Sequence, residues 1–232
     1  MPSRRTLVLC LLLGALMLGW LVWRDVPPRQ QPKETLAPII SKQPVNFTSR
    51  TFDPAGPPSD MPPLTAGENA ECVSDFISNA ILGGQTRRTD GTHGAITITQ
   101  VTVKLQLNVT IWVPVGVTQR VIDHEEGHRQ ISEYYYQNAD KLVERIASTY
   151  MGKEVEITGE DLNAESNKAL QQMAVEITDE YNRELNTEPT QLLYDSITDH
   201  SRNEVVAQEA VDHALKNISM ESPPTASPSD PR

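Results

Sequence analysis

The chain has 232 residues, a formal net charge of −11 and only 5% aromatic residues, with 38% hydrophobic residues overall. That length fits one folded domain with tails better than two domains. Four of the 20 basic residues (Arg4, Arg5, Arg24, Arg29) and one of the 31 acidic ones (Asp25) precede residue 30, leaving 16 against 30, or −14, for the rest. A domain that acidic repels phosphates, so no nucleic acid is expected as a partner.

Residues Thr6 to Trp23 (TLVLCLLLGALMLGWLVW) carry no charge. As a helix they would span about 27 Å, close to the hydrocarbon core of a bilayer. Arg4 and Arg5 precede the run, Trp20 and Trp23 sit at its far end, and no small-residue cleavage site follows. Residues 1–25 therefore read as an uncleaved signal anchor with the rest of the chain outside, a cleaved signal peptide being the alternative. The two cysteines, Cys10 in this run and Cys72 beyond it, offer no internal disulfide and no cysteine zinc cluster.

Ten of the seventeen prolines fall between Val26 and Ala66. Fixed φ and missing N–H donors predict an extended linker over 26–66 that neither pairs nor coils. Only Pro114 and Pro189 occur between Gly67 and Met220, so the folded domain is expected at 67–220, followed by a disordered tail at 221–232.

Inside that domain, Glu71 to Leu82 fits either a short helix or a strand, and Thr92-His93-Gly94 reads as a turn. Apolar residues then alternate at Ile96 and Ile98, and again at Val101, Val103, Leu105, Leu107, Val109, Ile111 and Val113. The alternation predicts a long strand, and its change of parity at Thr99-Gln100 predicts a bulge or tight turn there. Pro114 and Gly116 end it. From Thr118, a candidate N-cap, the period becomes helical, with Val121, His124, His128, Ile131, Tyr135 and Leu142 on one stripe. Further helices are expected over Asp161–Leu185 and Asn203–Ile218. Strands followed by helices give an α+β fold.

The chemistry lies in His124-Glu125-Glu126-Gly127-His128. Two histidines four apart project from one helix face, so both ring nitrogens can reach one Zn²⁺ at about 2.0–2.1 Å. The intervening Glu125 can act as general base on zinc-bound water. Catalytic zinc needs a third protein ligand. Ile131 and Tyr134 exclude the extended motif with a third histidine on the same helix. Downstream candidates are His200, Asp195, Glu176, Glu180 and His213, while His93 in its turn reads as solvated. The strand ending at Pro114 is expected to offer an edge beside the site for an extended peptide.

A strand ending near proline, then His124-Glu125-Glu126-Gly127-His128-Arg129, then a helical stretch and Gln191-Leu192-Leu193-Tyr194-Asp195-Ser196-Ile197-Thr198-Asp199-His200 resembles a bacterial family of predicted secreted zinc-dependent proteases of undefined physiological role. The resemblance covers roughly residues 67 to 202. It departs at Ser201, where the family usually has Gly, and at Trp112, which precedes Pro114 rather than following it. It implies a zincin-like fold with His124, His128 and His200 as zinc ligands and Glu125 as catalytic base. Asp195 is the alternative ligand or a residue that orients one. Tyr194 is a candidate donor to the oxyanion of the tetrahedral intermediate.

The expectation is a zinc metallopeptidase acting on peptide or protein substrates. Its place would be the inner membrane, held by a single span with the domain facing the periplasm, or the periplasm itself if residues 1–25 are cleaved. The rivals are a non-catalytic zinc-containing envelope binding domain and a zinc amidohydrolase acting on another amide.

Overall fold

The computed structural model describes residues 37–64 and 68–221, with side chains through 217. The expected anchor at 1–25 and the tail from 222 lie outside the described residues. Among the described residues no helix is long and apolar enough to cross a membrane.

The centre of the fold is one strand. β4 (His93–Pro114) is 22 residues long and is paired along both edges. On one side β3 (Glu71–Arg88) runs antiparallel to it from Gly94 to Trp112, which makes the open helix-or-strand question at Glu71 a strand. On the other side three short strands lie end to end. β5 (Glu154–Thr158) pairs antiparallel with 93–97, β1 (Ile39–Lys42) parallel with 102–105, and β2 (Asn46–Phe52) parallel with 108–114.

The parity change is a bulge on β4. Gly83 pairs with Gln100 and Gly84 with Ile98, leaving Thr99 as the extra residue. One added residue shifts the alternation by one, so Ile96 and Ile98 before it and Val101 to Val109 after it all point to the same, buried face of the sheet. Each of these apolar residues is at most 1% exposed. Gly84 belongs to the same device, because a Cβ there would stand 2.8 Å from the Thr97 carbonyl oxygen.

Residues 39–42 and 46–52 correct the expected spacer. They pair with β4 although they lie in the proline-rich stretch, so the described sheet already includes Ile39, well before the expected start of the domain. Pro38, Pro44 and Pro54 flank the two strands and never occupy them, the placement an edge strand tolerates. Lys42 adds a tie to the helical layer, donating from Nζ to the Gln137 carbonyl at 2.7 Å and to Asp140 at 2.8 Å.

The described residues form five helices: α1 (Gln119–Gln137), α2 (Ala139–Ser148), α3 (Leu162–Glu184), α4 (Glu188–Thr198) and α5 (Ala207–Glu221); α1, α2 and α3 pack on the sheet, and α4 and α5 pack on α1. The expected stripe from Val121 to Leu142 is therefore two helices broken at Asn138. Thr118 is the N-cap of α1, but its side chain makes no capping hydrogen bond. Asp161 does cap α3, accepting from the backbone N–H groups of Asn163 and Ala164. Pro189 stands in the first turn of α4, where its missing N–H would have had no helical partner. Tyr136, Val143, Ile146, Met173, Ile177 and Tyr181 meet the buried face of β4 in the main core. Sheet and helices together confirm the α+β architecture.

Candidate metal centre

Helix α1 places His124 and His128 one turn apart, with His124 3% exposed and Ile131, on the same stripe, wholly buried. Helix α4 crosses it and brings Asp195 between the rings. His128 Nε2 lies 2.9 Å from Asp195 Oδ1, His124 Nε2 lies 3.4 Å from the same oxygen, and the two Nε2 atoms are 3.2 Å apart. A tetrahedral ion with bonds of about 2.0–2.1 Å separates its ligand atoms by about 3.3 Å. The three atoms thus fit one face of such a coordination shell, and His124, His128 and Asp195 form a group that could hold a metal ion.

Asp195 Oδ1 is buried without a hydrogen bond of good geometry. Its closeness to the rings is an electrostatic contact, and the unmet acceptor is what a cation would satisfy. Burial alone would raise the Asp195 carboxyl, yet the rings of His124 and His128 outweigh it and hold the carboxyl well below the usual carboxylate range. Burial works against protonation of His128 in turn, and Asp195 and Gln191 overcome it to raise that ring's pKa.

Gln191, one turn before Asp195 on α4, fixes the His128 ring. Its Oε1 accepts from His128 Nδ1 at 2.6 Å, while its Nε2 donates to the His128 carbonyl at 3.2 Å and to Ser132 Oγ at 3.1 Å. Only one orientation of the amide satisfies all three contacts, so Nδ1 carries the proton and Nε2 presents its lone pair to the site. Ser132 Oγ accepts from Ser74 on β3 at 2.8 Å and donates to the His128 carbonyl at 3.1 Å, which anchors the arrangement to the sheet. His124 Nδ1 is buried with no partner among the described residues, so none of them sets the tautomer of that ring.

Tyr194 is wholly buried. Its ring stacks on His124 with centroids 5.1 Å apart, and its OH donates to the His124 carbonyl at 3.0 Å. The phenol therefore packs and positions α1, which replaces the oxyanion-donor reading: its hydroxyl is engaged by the helix backbone. The same contact accounts for Gly127, where a Cβ would lie 2.2 Å from the Tyr194 hydroxyl oxygen.

Glu125 is 3% exposed. Burial pushes its carboxyl up to about 8, and the charges of Glu68, Glu71 and Asp195 push the same way against His128. A cation held by the triad would oppose all of these and favour the ionised carboxylate. The neighbouring Glu126 turns the other way, onto Arg129, which also pairs with Glu133 and stacks over Phe47 of β2. Arg129 thus braces α1 against the sheet and is no part of the site.

His200 stands elsewhere than its resemblance-based role implies. Its Nδ1 lies 2.9 Å from Glu68 Oε1 and 3.9 Å from Asp195 Oδ1. It belongs to a second group, Glu68, Asp195 and His200, and not to the one containing His124 and His128. Asp195 is the residue grouped with His124 and His128. Asp199, His200 and Ser201 all have left-handed φ values, 47°, 51° and 65°, so Ser201 occupies a conformation that glycine adopts without strain. Of the other candidates, Glu176 bonds Tyr150 and Gln172, His213 bonds Asn217, and His93 bonds Asp90. None of them joins either group.

Sequence reasoning gave Gln191 no role and did not consider Glu68. Gln191 was visible one turn before Asp195, whereas a lone glutamate at the end of the proline-rich stretch carries no signal. The expectation that β4 offers a free edge is also corrected, since both its edges are paired; among the described residues β3 pairs with β4 alone. A pocket of about 240 Å³ opens beside His124, walled by Val205, Val206 and Ala207 and rimmed by the Arg120–Glu204 ion pair at 2.8 Å. Compared with models of known protein families, with curated proteins and with solved structures, the chain matches none.

Proposed function

We propose that the chain is a zinc-dependent peptidase of the secreted bacterial kind its motifs resemble, hydrolysing peptide bonds outside the cytoplasm. In this reading residues 6–23 hold it at the inner membrane. The observation that carries the proposal is the convergence of His124 Nε2, His128 Nε2 and Asp195 Oδ1 at 2.9–3.4 Å, beside a buried Glu125. An N₂O ligand set with spacing near a tetrahedral edge suits zinc. Zinc held there would supply Lewis acidity and lower the pKa of a water toward neutrality.

The protein groups divide the remaining work. His124 and His128 hold from one helix face, Asp195 closes the set, and Gln191 keeps His128 in the metal-binding tautomer. Glu125 takes the proton of the attacking water and returns it to the leaving amine. An extended peptide would find its pairing partner in β3, and the pocket beside His124 would receive a side chain next to the scissile bond.

Glu125→Gln tests the assignment. It keeps the shape of the side chain and removes the base, so zinc content and melting temperature should be retained. Cleavage of an unfolded protein substrate should fall about 10²–10⁴-fold. Undiminished cleavage by this variant would remove Glu125 from the chemistry. Full complementation of a deletion strain by it would favour the non-catalytic zinc domain.

A further inference from the structure

The second group beside the triad belongs to no step of that mechanism. It joins two distant parts of the chain: Glu68 before β3, and Asp195 in α4 with His200 in the turn that follows. His200 Nδ1 is 2.9 Å from Glu68 Oε1 and 3.9 Å from Asp195 Oδ1, and one ligand atom from each residue lies within 4.8 Å of the others. The Glu68 and Asp195 side chains are 14% and 15% exposed, and His200 is 33% exposed.

We propose that Glu68, Asp195 and His200 hold a second divalent cation, with Asp195 as a carboxylate bridge to the ion held by His124 and His128. The inference rests on the peptidase reading for the first ion. Two observations carry it beside that geometry. Asp195 Oδ1, the atom both groups share, is buried and lacks a good hydrogen bond. Among the described residues, no lysine or arginine pairs with Glu68 or Asp195, and their only charged contacts are histidines.

One imidazole nitrogen and two carboxylate oxygens suit zinc, with manganese as a weaker occupant. Two-metal hydrolytic sites hold their ions about 3.5–4 Å apart, a spacing one carboxylate can bridge. The second ion should bind more weakly than the first, because its ligand set has one histidine fewer and is more open to water.

The test is metal content of the full chain after equilibrium dialysis against zinc, with variants at each group. Wild type is expected to hold two zinc ions per chain. Glu68→Ala, Glu68→Gln and His200→Ala should each hold one, with melting temperatures in zinc close to that of wild type. His128→Ala should lose the first ion. One zinc in wild type that persists in Glu68→Ala and His200→Ala would overturn the second site and leave the peptidase reading standing. A fall from one to none in His200→Ala would overturn it too, by making His200 a ligand of the first ion. No zinc in wild type would remove both readings together.

Discussion

The two groups that meet at Asp195 are built in opposite ways. His124, His128 and Asp195 stand on helices, with the His128 ring fixed by a chain of hydrogen bonds from Gln191 through Ser132 to Ser74 on the sheet. Glu68 and His200 stand outside regular elements, and His200 sits in three consecutive left-handed residues. The helical group owes its geometry to the packing of α4 against α1. The loop group keeps a strained backbone that the surrounding contacts must maintain. Ligands on rigid elements are preorganised, whereas those on a strained turn are adjustable.

The sharpest way to break the helical side is Gly127→Ala. Elsewhere in a helix this change would stabilise by about 1 kcal/mol. Here the added Cβ would meet Tyr194 at 2.2 and 2.5 Å, so overpacking of about 1–3 kcal/mol or more decides the sign. The melting temperature should fall and zinc should be lost with it, since Tyr194 adjoins Asp195. Tyr194→Ala combined with Gly127→Ala should be less damaging than the sum of the two, which a double-mutant cycle would read.

Next in size is Gln191→Ala, which frees His128 Nδ1 without touching a ligand. Zinc affinity should drop about 10–100-fold, measured by competition with a chelator, and an unchanged affinity would show that the ring needs no such partner. Smallest is Ser201→Gly on the loop side. Relief of a left-handed residue is worth about 1–2 kcal/mol, offset by about 0.5–1 kcal/mol of glycine's extra chain entropy. Thermal unfolding should show a net gain of about 0.5–1 kcal/mol, and a loss would mean that the Ser201 side chain makes a contact of its own.

What could be read in the sequence followed the reach of each signal. The alternation from Ile96 to Val113 located β4, and its parity change located the bulge at Thr99, because both are local consequences of a period of two. The spacing of His124 and His128 gave a metal-binding pair for the same reason. The ends of the long helix over Leu162–Glu184 were likewise legible. Pairing was not. Prolines at 38, 44 and 54 disguised β1 and β2, whose partners lie about sixty residues away in β4. The five-residue β5 was too short to show a period. The residue that joins the histidine pair depended on how α4 crosses α1: the motif resemblance implies His200, and the geometry groups Asp195 with them. The place of Gly127 was similarly hidden, since its reason is a tyrosine 67 positions later.

The central claim is that Asp195 completes the metal set of His124 and His128, and the zinc content of Asp195→Ala tests it most directly. After dialysis against a buffer with a weak chelator, the purified wild type should keep zinc. The Asp195→Ala variant, confirmed as folded by circular dichroism, should have lost it. Full retention of zinc by Asp195→Ala, with loss in His200→Ala, would contradict the account and return the third position to His200.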